Sequence, residues 1–163
     1  MKNLILLFLV ILIISCKSKI PKPEVITETP TEKPTESRFV TIKPNEIDFA
    51  KKTKTYELGK RLLEACNTSK FKQFSKTEAT DKVIQNATIE KISKTCQKIN
   101  LRNGKFIDLD LLEILYDNQT DVYIFRYNID YEKKYFKREL KITLDNQNRI
   151  SAISTKEIPK APM

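Results

Sequence analysis

Hydrophobic and polar positions divide the chain into stretches of different period. Leu4 to Ile14 is an unbroken apolar run after Met1-Lys2-Asn3. As a helix, at about 1.5 Å rise per residue, it spans roughly 16 Å, against about 30 Å of bilayer hydrocarbon. Residues 16–45 have the opposite character. Five of the chain's seven prolines (Pro21, Pro23, Pro30, Pro34, Pro44) lie there among Thr, Glu, Lys and Ser. Proline fixes φ and removes a donor, and too few apolar groups offset the entropy of ordering, so this stretch is expected to be an extended, disordered tether. From Asn45 a helical period sets in. Ile47, Ala50, Leu58, Leu62, Ala65 and Cys66 fall near a spacing of 3.6, with Asn45 placed to cap, Asp48 three residues on and an end at Asn67. A turn around Phe71–Phe74 leads to a second helical region over 77–102. There Ile89, Ile92, Cys96 and Ile99 share a face, Thr88 stands where a cap belongs, and Asn103-Gly104 marks a stop.

After Gly104 the period becomes two. Phe106–Asp117 is rich in branched apolar residues. Tyr123, Phe125, Tyr127, Ile129 and Tyr131 alternate with Val122, Ile124, Arg126, Asn128 and Asp130. Phe136, Arg138, Leu140, Ile142 and Leu144 alternate with mostly charged neighbours, and Ile150, Ala152 and Ser154 follow the turn Asp145-Asn146-Gln147-Asn148. Short polar turns between such runs predict antiparallel hairpins. Helices first and a meander last is an α+β pattern, with N-terminal helices packed on a curved antiparallel sheet of about four strands. The domain is expected over 46–158, with a tail at 159–163.

The apolar run at the start is too short for a stable span and suits the core of an export signal. It ends in Ile13-Ile14-Ser15-Cys16, which resembles the lipobox of bacterial lipoproteins: aliphatic, aliphatic or small, small, then cysteine. The resemblance covers the first 16 residues. It implies removal of residues 1–15 as a signal peptide, a diacylglyceryl thioether on the Cys16 sulfur and fatty-acyl (palmitate-type) chains holding the mature protein to a membrane. One chain binds marginally, whereas two or three hold firmly. It places the domain in the cell envelope, facing the periplasm or the exterior.

The order of elements in the domain resembles the NTF2-like, or cystatin-like, cone. The residues that carry this are Leu58–Phe74, the Asn103-Gly104-Lys105-Phe106 entry to the first strand, and the closing Leu144-Asp145-Asn146-Gln147-Asn148-Arg149-Ile150. The match is one of pattern and touches most of the domain. It implies a long helix and its hook lying in the concavity of the sheet, as in exported domains of unassigned function.

Composition narrows the chemistry. The formal net charge is +9, and loss of residues 1–15 removes only Lys2 among the charged groups. A basic excess can serve nucleic acid or an anionic surface, but the lysines are scattered among acids. Export and the lack of any nucleic-acid motif point away from nucleic acid. The densest cluster is Lys133-Lys134, Lys137-Arg138 and Lys141. The chain has no histidine, which removes the commonest general base and most transition-metal sites, and Gly59 and Gly104 alone form no phosphate-cradling loop. No cofactor and no metal are implied.

With Cys16 lipidated, Cys66 and Cys96 remain, both on apolar helix faces. Outside the cytoplasm they can form a disulfide, or they can stand as two buried thiols acting as small apolar groups. Some enzymes of the NTF2-like fold place Asp and Tyr inside the cone. Asp108 and Asp110 on the first strand and Tyr123, Tyr127 and Tyr131 along the second are the residues here that could line a ligand pocket or act by acid–base chemistry. The plainer alternative is aromatic core, with the aspartates as solvated partners for lysine. Three Asn-x-Ser/Thr sequons (Asn67, Asn86, Asn118) are read as chance in a chain with a bacterial leader.

The expectation that follows is a noncatalytic, membrane-anchored module that binds a protein, envelope polymer or small ligand through its sheet. A small-molecule enzyme using Asp and Tyr and an immunity or inhibitor lipoprotein are the rivals.

Overall fold

The computed structural model describes residues 37–159. The expected leader, Cys16, most of the expected tether and the last four residues lie outside them. Within them the chain runs β1 (Phe39–Ile42), α1 (Phe49–Thr68), α2 (Asp81–Asn86), α3 (Ile89–Asn103), β2 (Phe106–Asp117), β3 (Val122–Tyr131), β4 (Lys137–Leu144) and β5 (Ile150–Ile158). The strands form one antiparallel sheet in the order β1-β2-β3-β4-β5. The architecture is α+β as expected, with five strands in place of about four.

The extra strand corrects the expected tether, which was drawn to residue 45. Phe39-Val40-Thr41-Ile42 is too short to show a period. It becomes a strand because the edge of β2 completes its hydrogen bonding, with Phe39 opposite Asp117 and Ile42 opposite Ile114. Arg38 clamps the start by donating from Nε and Nη2 to the Asp117 carboxylate, at 3.0 and 2.6 Å. That guanidinium holds the carboxyl of Asp117 well below the usual range.

The first helix is capped one turn later than its spacing suggested. Asp48, not Asn45, accepts the Ala50 N–H, at 2.8 Å, while Lys43 to Glu46 close a turn that buries Ile47. The expected helical region over 77–102 is two helices. Residues 77–80 instead reach the sheet, where Thr80 N–H donates to the Ile150 carbonyl and Ile150 N–H to that of Glu78, both at 2.9 Å. Thr88 caps α3, as its position implied, by accepting the Lys91 N–H. Asn103-Gly104 ends that helix, with Gly104 at φ +74°, a conformation that L side chains rarely adopt.

The core lies between α1 and the sheet. Phe125, Ile114, Leu140, Ile142, Leu144 and Ile150 are fully buried there; each such side chain contributes about 1.5–3 kcal/mol by leaving water. Gly59 lets α1 sit close on β4. A Cβ at that position would meet Leu140 Cδ2 at 2.8 Å and Ile142 Cδ1 at 3.0 Å. Two covalent and polar ties hold the helices to this frame. Cys66 of α1 and Cys96 of α3 form a disulfide, with Cα atoms 4.8 Å apart. The Asn67 amide donates to the Phe106 carbonyl and accepts the Phe106 N–H, at 2.8 and 2.9 Å, splicing the end of α1 to the start of β2. No helix among the described residues is long and apolar enough to cross a membrane.

Candidate functional site

Alternation along β3 sends Tyr123, Tyr127 and Tyr131 to one face, as expected, and α1 covers that face. Tyr127 is buried with its hydroxyl 2.7 Å from Thr55 Oγ1. Since the Thr55 hydroxyl is within 3.0 Å of the Lys51 and Lys52 carbonyls, it donates to the helix and accepts from the phenol. Burial pushes the Tyr127 phenol up to about 12. Tyr131 packs edge-on against Phe106 and is likewise pushed to about 12 by burial; its hydroxyl has no partner among the described residues. Tyr123 is half-buried, with the Lys51 ammonium 4.1 Å from its ring centroid. The three rings are packed against the helix layer and line none of the depressions described below.

Asp108 does meet a tyrosine, but from α1. The Tyr56 hydroxyl donates to Asp108 Oδ1 at 2.6 Å. That hydrogen bond, with one from the Leu109 N–H, lowers the pKa of Asp108 and raises that of Tyr56; Lys60 lies alongside. The arrangement is on the surface and keeps the carboxylate ionised. Asp110 is exposed. Tyr56 was missed in the sequence, although its spacing from Lys60 on one helix face marks the pair.

Among the described residues, no helix lies over the opposite face of the sheet. Its register places Glu113 beside Arg126, Arg126 beside Lys141, Leu115 beside Ile124, and Glu139 beside Lys156. The Arg126 guanidinium donates to Glu139 Oε1 at 2.6 Å and also to Glu113, so one cation joins carboxylates on both neighbouring strands. Charge-assisted bonds to two partners raise its pKa, Glu139 acting most strongly. A groove of about 360 Å³ crosses this face, lined by Phe39, Leu115 and Ile124 at one side and by Arg126, Glu139, Lys141, Ser154 and Lys156 at the other. Phe39 at its rim is 42% exposed. Chemically the groove offers apolar contact area beside fixed donors and acceptors, which suits recognition. Its charged residues were legible only as the polar positions of the strand alternations, and its apolar ones, Phe39, Leu115 and Ile124, carry no mark in the sequence of facing a groove.

The dense basic cluster is divided by the fold. Lys141 joins this groove, Arg138 turns to the other face toward Thr155 and Glu157, and Lys133, Lys134 and Lys137 ring the β3–β4 turn. No group of His, Cys, Asp and Glu suited to a metal occurs among the described residues. Comparison with protein-family models, curated proteins and solved structures returns no match for the chain.

Proposed function

We propose that this chain is a lipid-anchored, noncatalytic binding module of a bacterial cell envelope that takes a protein or envelope-polymer partner on the open face of its sheet. The observation that carries the reading is the outer groove, where a Glu113–Arg126–Glu139 ladder is held rigid beside Phe39, Leu115 and Ile124. Fixed polar groups next to apolar area give specificity without further ordering of the site. The lipobox residues supply the anchor and the location. The long helix laid on an antiparallel meander supports the NTF2-like or cystatin-like reading of the fold, with the interior filled by α1 instead of a ligand. A noncatalytic role is supported by Asp108, which is exposed and has a lowered pKa, whereas a general base at neutral pH needs a raised one.

Two measurements test this. Intact-mass analysis of the native protein is expected to show a chain starting at Cys16 with a diacylglyceryl group; an unmodified sulfur, or a retained Met1, overturns the anchor. Crosslinking in native membranes is expected to join a partner to the wild type. Arg126→Glu should reduce that yield at least about tenfold, since it sets like charges against Glu113 and Glu139 and disorders the groove. Equal yields from the variant overturn the groove as the site.

A further inference from the structure

The end of the fold made by the β3–β4 turn and the C-terminus of α3 combines exposed apolar side chains with cations. Leu101 is 74% exposed, Tyr135 69% and Phe136 38%. They belong to one rim. The Lys133 ammonium donates to the Leu101 carbonyl at 3.1 Å, Lys133 N–H to the Asn103 carbonyl at 2.9 Å, and the Arg102 guanidinium lies 4.3 Å from the Phe136 ring centroid. Residues 132–137 are all exposed. The acids nearby are already engaged. Asp130 pairs with Lys134, Glu157 with Arg102 and Arg138, and Glu132 accepts the Lys105 N–H. Lys98, Lys105, Lys133 and Lys137 make no ion pair among the described residues and leave this end positive.

We propose that this rim docks onto an anionic lipid surface, with Leu101, Tyr135 and Phe136 entering the interface and the surrounding lysines meeting headgroup charge. Amphipathic rings and aliphatic groups sit at the depth of the headgroups, and long basic side chains extend their charge outward from apolar contact. Charge complementarity selects an anionic membrane over a second copy, because two such rims repel. The proposal rests on the anchored reading of the chain for the nearness of a bilayer, and the geometry permits it. The tether enters at Phe39, opposite Asp117, whereas the rim lies at the far end of the sheet, beside the Phe106–Tyr131 pair. From Cys16 to Arg38 the chain can span up to about 75 Å, and ten-residue β3 is about 33 Å long. The domain can therefore turn its far end back to the surface that holds it.

The chain has no tryptophan, so Tyr135→Trp in the full, lipidated protein is a unique reporter. With vesicles containing phosphatidylglycerol, a blue shift and quenching by brominated lipid are expected, both abolished by high salt. With phosphatidylcholine alone, no shift is expected even though the lipid anchor carries the protein into the vesicle pellet. Adding Lys133→Glu and Lys137→Glu should weaken the response by about tenfold or more. These are exposed positions, and an unchanged far-UV spectrum verifies the fold. No shift with phosphatidylglycerol, an equal shift with both lipids, or a shift that needs only more protein overturns the proposal; the last indicates contact between copies. Pelleting reports on the anchor and the tryptophan on the rim, so the two failures are told apart.

Discussion

Gly59 shows how one missing atom sets the distance between layers. Alanine at an ordinary helical site gains about 1 kcal/mol over glycine. Here the added carbon would press on Leu140, Ile142 and Leu109, which are themselves fully or nearly fully buried. Crowding of this kind costs about 1–3 kcal/mol. Gly59→Ala is therefore expected to lose about 1 kcal/mol net and Gly59→Val about 3 kcal/mol in urea unfolding, the reverse of what propensity alone gives. The buried phenols differ from one another in a comparable way. Tyr127→Phe removes a satisfied hydrogen bond to Thr55 and is expected to cost about 1 kcal/mol. Tyr131→Phe removes a hydroxyl with no partner among the described residues and is expected to be neutral or stabilising. Both phenols are pushed up from 10 to about 12 in the folded protein. Their contribution is thus complete below pH 10 and is lost as pH rises from there through 12. Phenolate absorbance and far-UV ellipticity followed together should show these two groups ionising only as the fold is lost.

Among the elements, β3 and β4 were the most legible, because alternation over eight to ten residues fixes which side chains share a face. Bulges break the alternation in β2 and at the start of β5, where Ala152 and Ser154 lie on the face opposite Ile150 and not beside it as their spacing suggested. The start of α3 at Thr88 and its end at Gly104 were equally plain, since caps and glycine act locally. What failed depended on partners distant in sequence. β1 has four residues and is a strand only because β2 lies beside it. Residues 77–80 leave the helical period because Ile150 supplies hydrogen bonds that a helix start would lack. The candidate groove was hidden for the same reason, since Glu113, Arg126 and Glu139 come from three strands and converge only through register. The two cysteines were legible as a possible pair, and the packing of α1 on α3 joins them. Closing a loop across their 30-residue separation should stabilise by roughly 3.5 kcal/mol, less any adjustment elsewhere. A reductant, or Cys66→Ala with Cys96→Ala, should lower stability by about 2–4 kcal/mol in urea unfolding while leaving the far-UV spectrum in place. An unchanged midpoint would mean that packing and the hydrogen bond from the Asn100 amide to the Cys66 carbonyl, 2.8 Å, already hold α1 and α3 together.

Taken together, the domain has one face sealed by helices, one face open and charged, and one end both basic and apolar. The described chain enters at the other end, through the shortest strand. With the anchor proposed above, a tug transmitted from the membrane would reach β1 first and be met by four residues of ladder and the Arg38–Asp117 clamp, before it loads the disulfide or the central strands. β1 would then act as a fuse, stripping from the sheet's edge under tension while the remainder stays folded.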